Sequence, residues 1–128
     1  MDIHSFKAEY HSGGVECNFN LGVYIFKEGD FYISYCPALD ISGYGLNEEE
    51  AKESFGEGMR QYITYCVEHG TLAEDLRKHG WKVKSDGDGL FKSPDTESML
   101  KRNPDFKDLL DNKEYSRYIE DVPIPLMA

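Results

Sequence analysis

Carboxylates near the middle of this sequence could support metal chemistry. Asp40 ends a Pro-x-Leu-Asp pattern, and three glutamates stand together at 48–50. Carboxylates that converge on two metal ions can support hydrolysis of nucleic acid. The same residues have an ordinary structural role, because aspartate is common in turns and glutamates complement the dipole at the start of a helix. We adopt the structural interpretation and predict that the protein is not an enzyme.

Other residue types offer no stronger pattern for catalysis or for metal binding. The four histidines lack the spacing of metal ligands, and His69 and His79 each precede a glycine that would end a helix. No serine lies in a Gly-x-Ser-x-Gly pattern. The Gly-Tyr-Gly stretch at 43–45 lacks the Lys-Ser/Thr of a phosphate loop. The sequence therefore predicts no catalytic residue, no metal and no cofactor.

Aromatic side chains are the candidate protein-interface residues. The alternation from 15 to 26 predicts a half-buried strand, whose polar face is interrupted by Tyr24 and Phe26. Tyr32 lies in the return strand of the predicted hairpin. Aromatic side chains on an otherwise polar sheet face can anchor an interface with another protein. Coverage of these side chains by residues 119–126 of the same chain is the open alternative.

The charge of the chain favours a basic protein partner. Its 128 residues include 24 acidic and 14 basic side chains, so the net charge is −10. Phosphate contacts need a basic surface, and we therefore expect no direct binding of nucleic acid. Charge complementarity can instead steer a basic protein toward an acidic one. A role of the charge in solubility alone is the open alternative.

Length and cysteine content indicate one domain in a reducing compartment. A chain of this length can bury a useful core without disulfides or metal. The three cysteines are an odd number and form no Cys-x-x-Cys pair. The N-terminus lacks the features of a secretory signal, and no apolar stretch reaches the roughly 20 residues of a membrane helix. We expect a cytoplasmic protein without a membrane segment.

The elements that would position these residues follow an α+β pattern. Strand-like runs at 3–10, 15–26 and 31–36 lead to Pro37, which cannot donate to a sheet ladder. A short antiparallel edge strand is predicted at 41–45. One apolar helical stripe follows and needs one apolar sheet face. We therefore expect an antiparallel sheet of three to five strands packed on one main helix.

That main helix is predicted at 48–69. Asn47 is a good N-cap with Glu50 at the third helical position, and Gly70 is a natural C-terminal stop. Beyond it, a second capping box at Thr71 and Glu74 predicts a short helix that ends at Gly80. A strand at 81–84 and a polar loop at 85–89 follow. Ser93 and Asn103, each as an N-cap before a proline, predict short helices near 94–102 and 104–111, and a final edge strand is predicted at 115–126.

In this order, the hairpin, the Pro-x-Leu-Asp turn, the Gly-x-Gly strand and the Glu-rich helix start resemble the HicB family. The residues that carry the resemblance are 31–37, 38–45 and 47–55, and the stretch 71–81 resembles the short helix and Gly-Trp turn of that family. The resemblance implies a partial RNase H-like fold. We divide the chain into a HicB-like domain at 1–84, with its core at 15–84, and a C-terminal extension at 85–128 that packs on or extends the same domain.

The resemblance also implies a function. HicB proteins are antitoxins that bind a small basic HicA toxin, an mRNA interferase, and block its access to RNA. We expect an antitoxin of this kind, without catalytic activity, that forms a homo-dimer or a higher oligomer. The alternative is a stand-alone structural or regulatory HicB-like protein that forms homo-oligomers without a toxin. A small-molecule or hydrolytic function in a cleft between the helix and the loops is a third, weaker option.

The sequence departs from the family at both ends. Many family antitoxins carry a C-terminal helix–turn–helix or ribbon–helix–helix, and residues 85–128 show neither pattern. Repression of its own operon by direct DNA contact is therefore not expected. An additional segment at 1–14 precedes the usual first strand and is a candidate edge strand or oligomer contact.

Overall fold

The α+β class predicted from the sequence is confirmed by a computed structural model that describes residues 8–11, 14–83 and 91–126. Side chains are described at 20–83 and 91–122. The main sheet contains five antiparallel strands: β1 (Ala8–His11), β2 (Gly14–Glu28), β3 (Phe31–Cys36), β4 (Ile41–Gly45) and β7 (Tyr115–Leu126). The predicted polar loop at 85–89 lies outside the described residues.

Strand β2 is the centre of the sheet. One of its edges pairs with β7 over the whole length of β7. The other edge pairs with β1 at its start and with β3 at its end. Strand β4 pairs with β3 alone among the described strands, as the edge position predicted for it requires. Strand β7 is likewise the edge strand predicted for 115–126, and it extends the same sheet.

The main helix, α1 (Glu48–His69), has the bounds that its caps predict. The side chain of Asn47 accepts a hydrogen bond from the Glu50 amide at 2.8 Å, and Glu50 Oε1 accepts one from the Leu46 amide at 3.0 Å. Gly70 ends the helix in the left-handed conformation, with φ of 65°. These local bonds satisfy exposed backbone groups at both ends of α1.

Close contact between α1 and β4 explains the Gly-x-Gly pattern. A Cβ atom at Gly43 would collide with the backbone of Phe55, and one at Gly45 would collide with Glu50 and Ala51. The buried Ser34 hydroxyl donates to the Ala51 carbonyl at 2.8 Å across the same contact. The two glycines therefore serve the packing of the helix on the sheet.

Five further elements lie between α1 and β7. Helix α2 (Leu72–Lys78) is succeeded by a two-stranded sheet of β5 (Lys82–Val83) and β6 (Phe91–Lys92), and then by α3 (Thr96–Arg102) and α4 (Pro104–Asn112). Two predicted caps are wrong: the Thr71 side chain makes no cap hydrogen bond, and Asp95, two residues after Ser93, caps α3 by accepting from the Ser98 amide. The predicted Asn103-Pro104 start of α4 is confirmed.

Helices cover the two faces of the main sheet. Helix α1 lies on the face that carries Leu21, Val23, Ser34 and Cys36, whereas α4 lies on the opposite face, which we call the outer face. The largest fully buried side chains come from both layers: Leu21, Val23, Ile25, Cys36, Leu39, Phe55, Met59, Leu76 and Phe106. None of the described helices combines the length and the apolar character needed to span a membrane.

Candidate protein-binding cleft

The three predicted interface residues lie on two faces of the sheet. The register places Tyr24 opposite Tyr35 and Phe26 opposite Ile33, so both belong to the outer face. Tyr32 pairs with Lys27 and therefore belongs to the α1 face, because alternate residues of a strand point to opposite sides. Phe26 and Tyr32 are half-buried. The three aromatic side chains thus do not form one surface.

Helix α4 covers Tyr24 within the monomer. Only 7 % of Tyr24 is exposed, and its ring meets the ring of Phe106 edge-on at 5.2 Å and that of Tyr115 at 5.5 Å. Tyr24 is therefore not available as an interface residue on the monomer surface. Coverage within the same chain, the open alternative, therefore applies to Tyr24, and its ring contacts come from Phe106 and Tyr115, which precede the expected segment at 119–126.

A cleft of about 430 Å³ lies on the outer face beside α4. Its floor is formed by Phe26 and Ile33, which are paired on the outer face of β2 and β3, and Phe26 is the predicted interface residue that stays accessible there. Four carboxylates and other polar side chains surround the floor. The complete lining is Phe26, Glu28, Ile33, Tyr35, Asp40, Ser42, Asp105, Asp108, Leu109 and Lys113. We call this feature the acidic cleft; it combines an apolar base with excess negative charge, which suits the basic and partly apolar surface of a protein partner.

A hydrogen-bonded triad fixes one wall of the acidic cleft. The Tyr35 hydroxyl donates to Asp40 Oδ1 at 2.7 Å and accepts from the side-chain amide of Asn103. Burial, followed by the hydrogen bond to Asp40, raises the pKa of Tyr35 well above its ordinary value, so the phenol stays protonated as the donor. Asp40 has a φ of 55°, a left-handed backbone conformation that aspartate tolerates better than most residues. The triad links the turn before β4 to the start of α4.

Lys113 shows how a cation fits the other end of the acidic cleft. Its Nζ lies 2.9 Å from Glu28 Oε2 and 5.2 Å from the centre of the Phe26 ring. The hydrogen bond to Glu28 raises the pKa of Lys113, so the ammonium stays charged. A carboxylate beside an aromatic ring is a favourable environment for lysine or arginine. The remaining carboxylates, Asp105 and Asp108, stand on the exposed side of α4.

The glutamates at 48–50 serve the helix start. Glu50 closes the cap of α1 through Leu46, and all three side chains are exposed in its first turn. Within the described parts of the chain, no group of three or more His, Cys, Asp or Glu side chains could hold a metal ion. Asp40 is hydrogen-bonded to Tyr35 instead of facing these glutamates across a shared site. Asp40 and Glu50 therefore have structural partners, and Glu48 and Glu49 lie in the first turn of α1, where they complement the helix dipole.

Comparisons with known proteins were made at three levels. No family model, no curated protein and no solved structure matches this chain. The resemblance to the HicB family stays a prediction from its residues.

The acidic residues of α4 belong to the cleft, but their sequence pattern does not single them out as site residues. The Asn103-Pro104 pattern predicted this helix, and Asp105 and Asp108 are about one turn apart in it, which places them on one side. What local sequence could not supply is the position of α4 on the sheet, because that depends on the contact of Phe106 with Tyr24. The apolar spacing of Phe106 and Leu109 was the available signal that one side of α4 is buried.

Proposed function

We propose that this protein is a HicB-like antitoxin that binds and neutralises a small basic HicA-type mRNA interferase without catalysing a reaction. The observation that carries the proposal is the acidic cleft, in which Glu28, Asp40, Asp105 and Asp108 surround an apolar floor. The ordered resemblance across residues 31–55 supports the identity of the partner, and the geometry of the cleft supports the chemistry of the contact.

The contact combines charge with burial. Lysine or arginine side chains of the toxin pair with the carboxylates at the rim, in the way that Lys113 pairs with Glu28. Apolar side chains of the toxin cover Phe26 and Ile33, which are half-buried, on the floor. A toxin surface held in this way is the basic surface that would otherwise contact RNA phosphates, so binding excludes the substrate.

The charge of the whole chain increases the rate of association. A net charge of −10 attracts a basic protein over distances longer than the contact itself, and this attraction weakens as salt screens it.

The proposed compartment is the cytoplasm, where the toxin would meet mRNA. Cys36 and Cys66 are free and buried, and burial raises the pKa of Cys36 to about 12, which keeps its thiol protonated and unreactive.

Co-expression with any short basic open reading frame found adjacent to the gene tests the proposal. We expect the two chains to purify as a stable complex, and we expect growth arrest by the basic protein to be relieved when this chain is present. Recovery of growth without a complex, or a complex that leaves mRNA cleavage unchanged, would contradict neutralisation by binding.

The second candidate is a stand-alone HicB-like protein that forms homo-oligomers without a toxin. The observation that favours it is the outer edge of β7, which pairs with no other strand among the described residues. The two candidates are separated by the same co-expression, because only the first requires a basic partner.

A further inference from the structure

The hairpin between β2 and β3 determines which residues of β7 point their backbone groups away from the sheet. The two strands are joined by a two-residue turn, Gly29 and Asp30, so the closing pair Glu28 and Phe31 is hydrogen-bonded. Even-numbered residues of β2 therefore face β3, and odd-numbered ones face β7, because the backbone groups of a strand alternate between its edges. In the β2–β7 register each odd residue of β2 is opposite an even residue of β7. The odd residues of β7 consequently direct their N–H and C=O groups to the open edge.

The prolines of β7 agree with this assignment. Pro123 and Pro125 have odd numbers and sit in an unbroken ladder with β2, opposite Asn18 and Glu16. Proline is compatible with a ladder only where its nitrogen faces away from the partner strand. It also removes a donor from the outer edge. The half of the edge at 122–126 is thereby unsuited to pairing with another strand, and the open donors are those at 115, 117, 119 and 121.

The side chains of this open segment are complementary to themselves. Tyr115 and Ile119 are each 43 % exposed, and Arg117 and Asp121 are exposed on the same face of the sheet. An antiparallel copy centred on Ile119 places Ile119 against Ile119 and each Arg117 directly opposite Asp121 of the other copy. The neighbouring registers that match the open donors place Arg117 opposite Tyr115, Arg117, Ile119 or Pro123 of the other copy, and none of these positions is acidic. Opposite charges in directly opposed positions stabilise a strand pair, and like charges destabilise it.

We propose that two copies of this chain associate through their β7 edges, in an antiparallel register centred on Ile119 that joins two five-stranded sheets into one. This interface lies along the open edge of β7, whereas the acidic cleft lies on the outer face, and dimerisation does not depend on binding of a toxin. It uses backbone hydrogen bonds for affinity and the Arg117–Asp121 pairs for register. The contact is small, and we therefore expect reversible dimers.

Sedimentation equilibrium of the full chain tests the proposal, from about 1 μM to about 1 mM, the range in which small interfaces dissociate. Salt is kept at about 0.15 M so that the net charge of each chain is screened beyond about 8 Å. We expect a monomer–dimer equilibrium for the wild type. Arg117→Glu alone and Asp121→Arg alone should each weaken dimerisation by at least about tenfold, because each creates two like-charged pairs per dimer.

A mixture of the Arg117→Glu and Asp121→Arg variants tests whether the two charge reversals compensate each other across the dimer. In the heterodimer, the glutamate introduced in the first variant faces the arginine introduced in the second, and the native Arg117 faces the native Asp121. We therefore expect the mixture to dimerise as the wild type does. Matched controls on the exposed surface of α3, Lys101→Glu and Glu97→Arg, change the net charge equally and should leave dimerisation unchanged. A wild type that stays monomeric, or a mixture that stays monomeric, would overturn the proposal.

Ile119→Pro tests the backbone part separately. The Ile119 N–H points outward, so proline at this position should preserve the β2–β7 ladder, as Pro123 and Pro125 do, while it removes the central donors of the dimer. We expect a folded monomer by circular dichroism and sedimentation. A folded Ile119→Pro variant that still dimerises would place the interface elsewhere and overturn the proposal.

Discussion

At the scale of single residues, half-buried phenols connect the parts of the molecule. Tyr35 links Asp40 to Asn103, and Tyr62 of α1 donates to Asp75 of α2. Each hydroxyl is bonded to a residue from a different element, so each bond depends on the tertiary fold. Hydrogen bonds of this kind contribute about 0.5–1.5 kcal/mol each, and a buried partner left unsatisfied costs more.

Replacement of Tyr35 by phenylalanine should loosen the wall of the acidic cleft. Asp40 loses its donor and the Asn103 amide loses its acceptor, so we expect the free energy of unfolding to fall by about 1–3 kcal/mol. Urea denaturation of the wild type and the variant measures the difference. Ser42, in the same cleft, provides a control through Ser42→Ala, since it is exposed and should change stability by less than about 0.5 kcal/mol. Equal stability of Tyr35→Phe and wild type would contradict the role of the triad.

Stability should fall in alkaline solution. Burial raises the pKa of Tyr35, Tyr62 and Tyr118 above the ordinary value of 10.0, and that of Cys36 from 9.0 to about 12. A group whose folded-state pKa is raised contributes stability that is complete below its unfolded pKa and is lost as the pH rises toward the folded value. We therefore expect the free energy of unfolding to decrease from about pH 9 upward.

The variant Tyr62→Phe isolates one of these groups. It removes one titrating phenol, so the decrease in unfolding free energy between about pH 10 and pH 12 should be shallower than in the wild type by about one proton. Denaturation at a series of pH values gives the slopes directly. Identical slopes for variant and wild type would show that Tyr62 has the same pKa in the folded and the unfolded protein, contrary to the effect expected from its burial.

At the scale of elements, the contact between α1 and β4 depends on glycine. Gly43→Ala introduces a Cβ against the backbone of Phe55, which cannot move as a side chain could, and we expect a loss of about 1–3 kcal/mol. Gly58→Ala is the matched control: no atom lies within 4 Å of a Cβ at this helical position, and alanine should stabilise α1 by about 0.5–1 kcal/mol. Thermal and chemical denaturation of both variants check the opposite signs.

Elements with strong local signals were predictable, and their arrangement was less so. The caps at Asn47 and Gly70 determined the bounds of α1, and Pro37 determined the end of β3, because each acts through its own backbone conformation. Thr71 and Ser93 carry the same kind of signal, yet the cap of α3 is Asp95 and the Thr71 side chain makes no cap bond. Neighbouring residues compete for a cap, and the sequence pattern alone did not decide between them.

The edge strands show a second limit of local prediction. The sequence predicted both β4 and β7 at edges, and the amides of Tyr44 and Leu46 next to the open side of β4 are occupied by Ser54 and Glu50 of α1. Side chains therefore block one edge, while the other edge is blocked by proline only beyond Asp121. This asymmetry became visible only when the register of β7 against β2 was known.

At the scale of the whole molecule, the fold separates two surfaces. The acidic cleft lies on the outer face between the β3–β4 hairpin and α4, whereas the open segment of β7 runs along the edge of the sheet and comes next to the cleft at Tyr115, which pairs with Phe26. A protein with this arrangement can pair with a second copy and still present the cleft to a basic partner. The excess of negative charge attracts a basic partner. Two copies of this chain repel each other through the same charge, so their association depends on specific contacts such as the Arg117–Asp121 pairs.

Binding of the toxin should depend on salt. If the carboxylates of the cleft and the net charge attract the partner, the association rate should fall by about tenfold or more between low salt and about 0.5 M salt, because screening shortens the range of the attraction. Stopped-flow or surface-based kinetics with the purified toxin measure this rate. An association rate that is independent of salt would contradict charge steering.

The most direct test of the central claim is the affinity of cleft variants for a purified basic protein encoded by any short reading frame adjacent to the gene. The double variant Asp105→Lys/Asp108→Lys reverses two rim charges on α4, whereas Glu74→Lys/Glu97→Lys makes the same change in net charge at exposed positions outside the cleft. Isothermal titration calorimetry should show at least about tenfold weaker binding for the cleft variant and near-wild-type binding for the control. Wild-type affinity in the cleft variant, or no binding of a basic toxin by the wild type, would contradict the account.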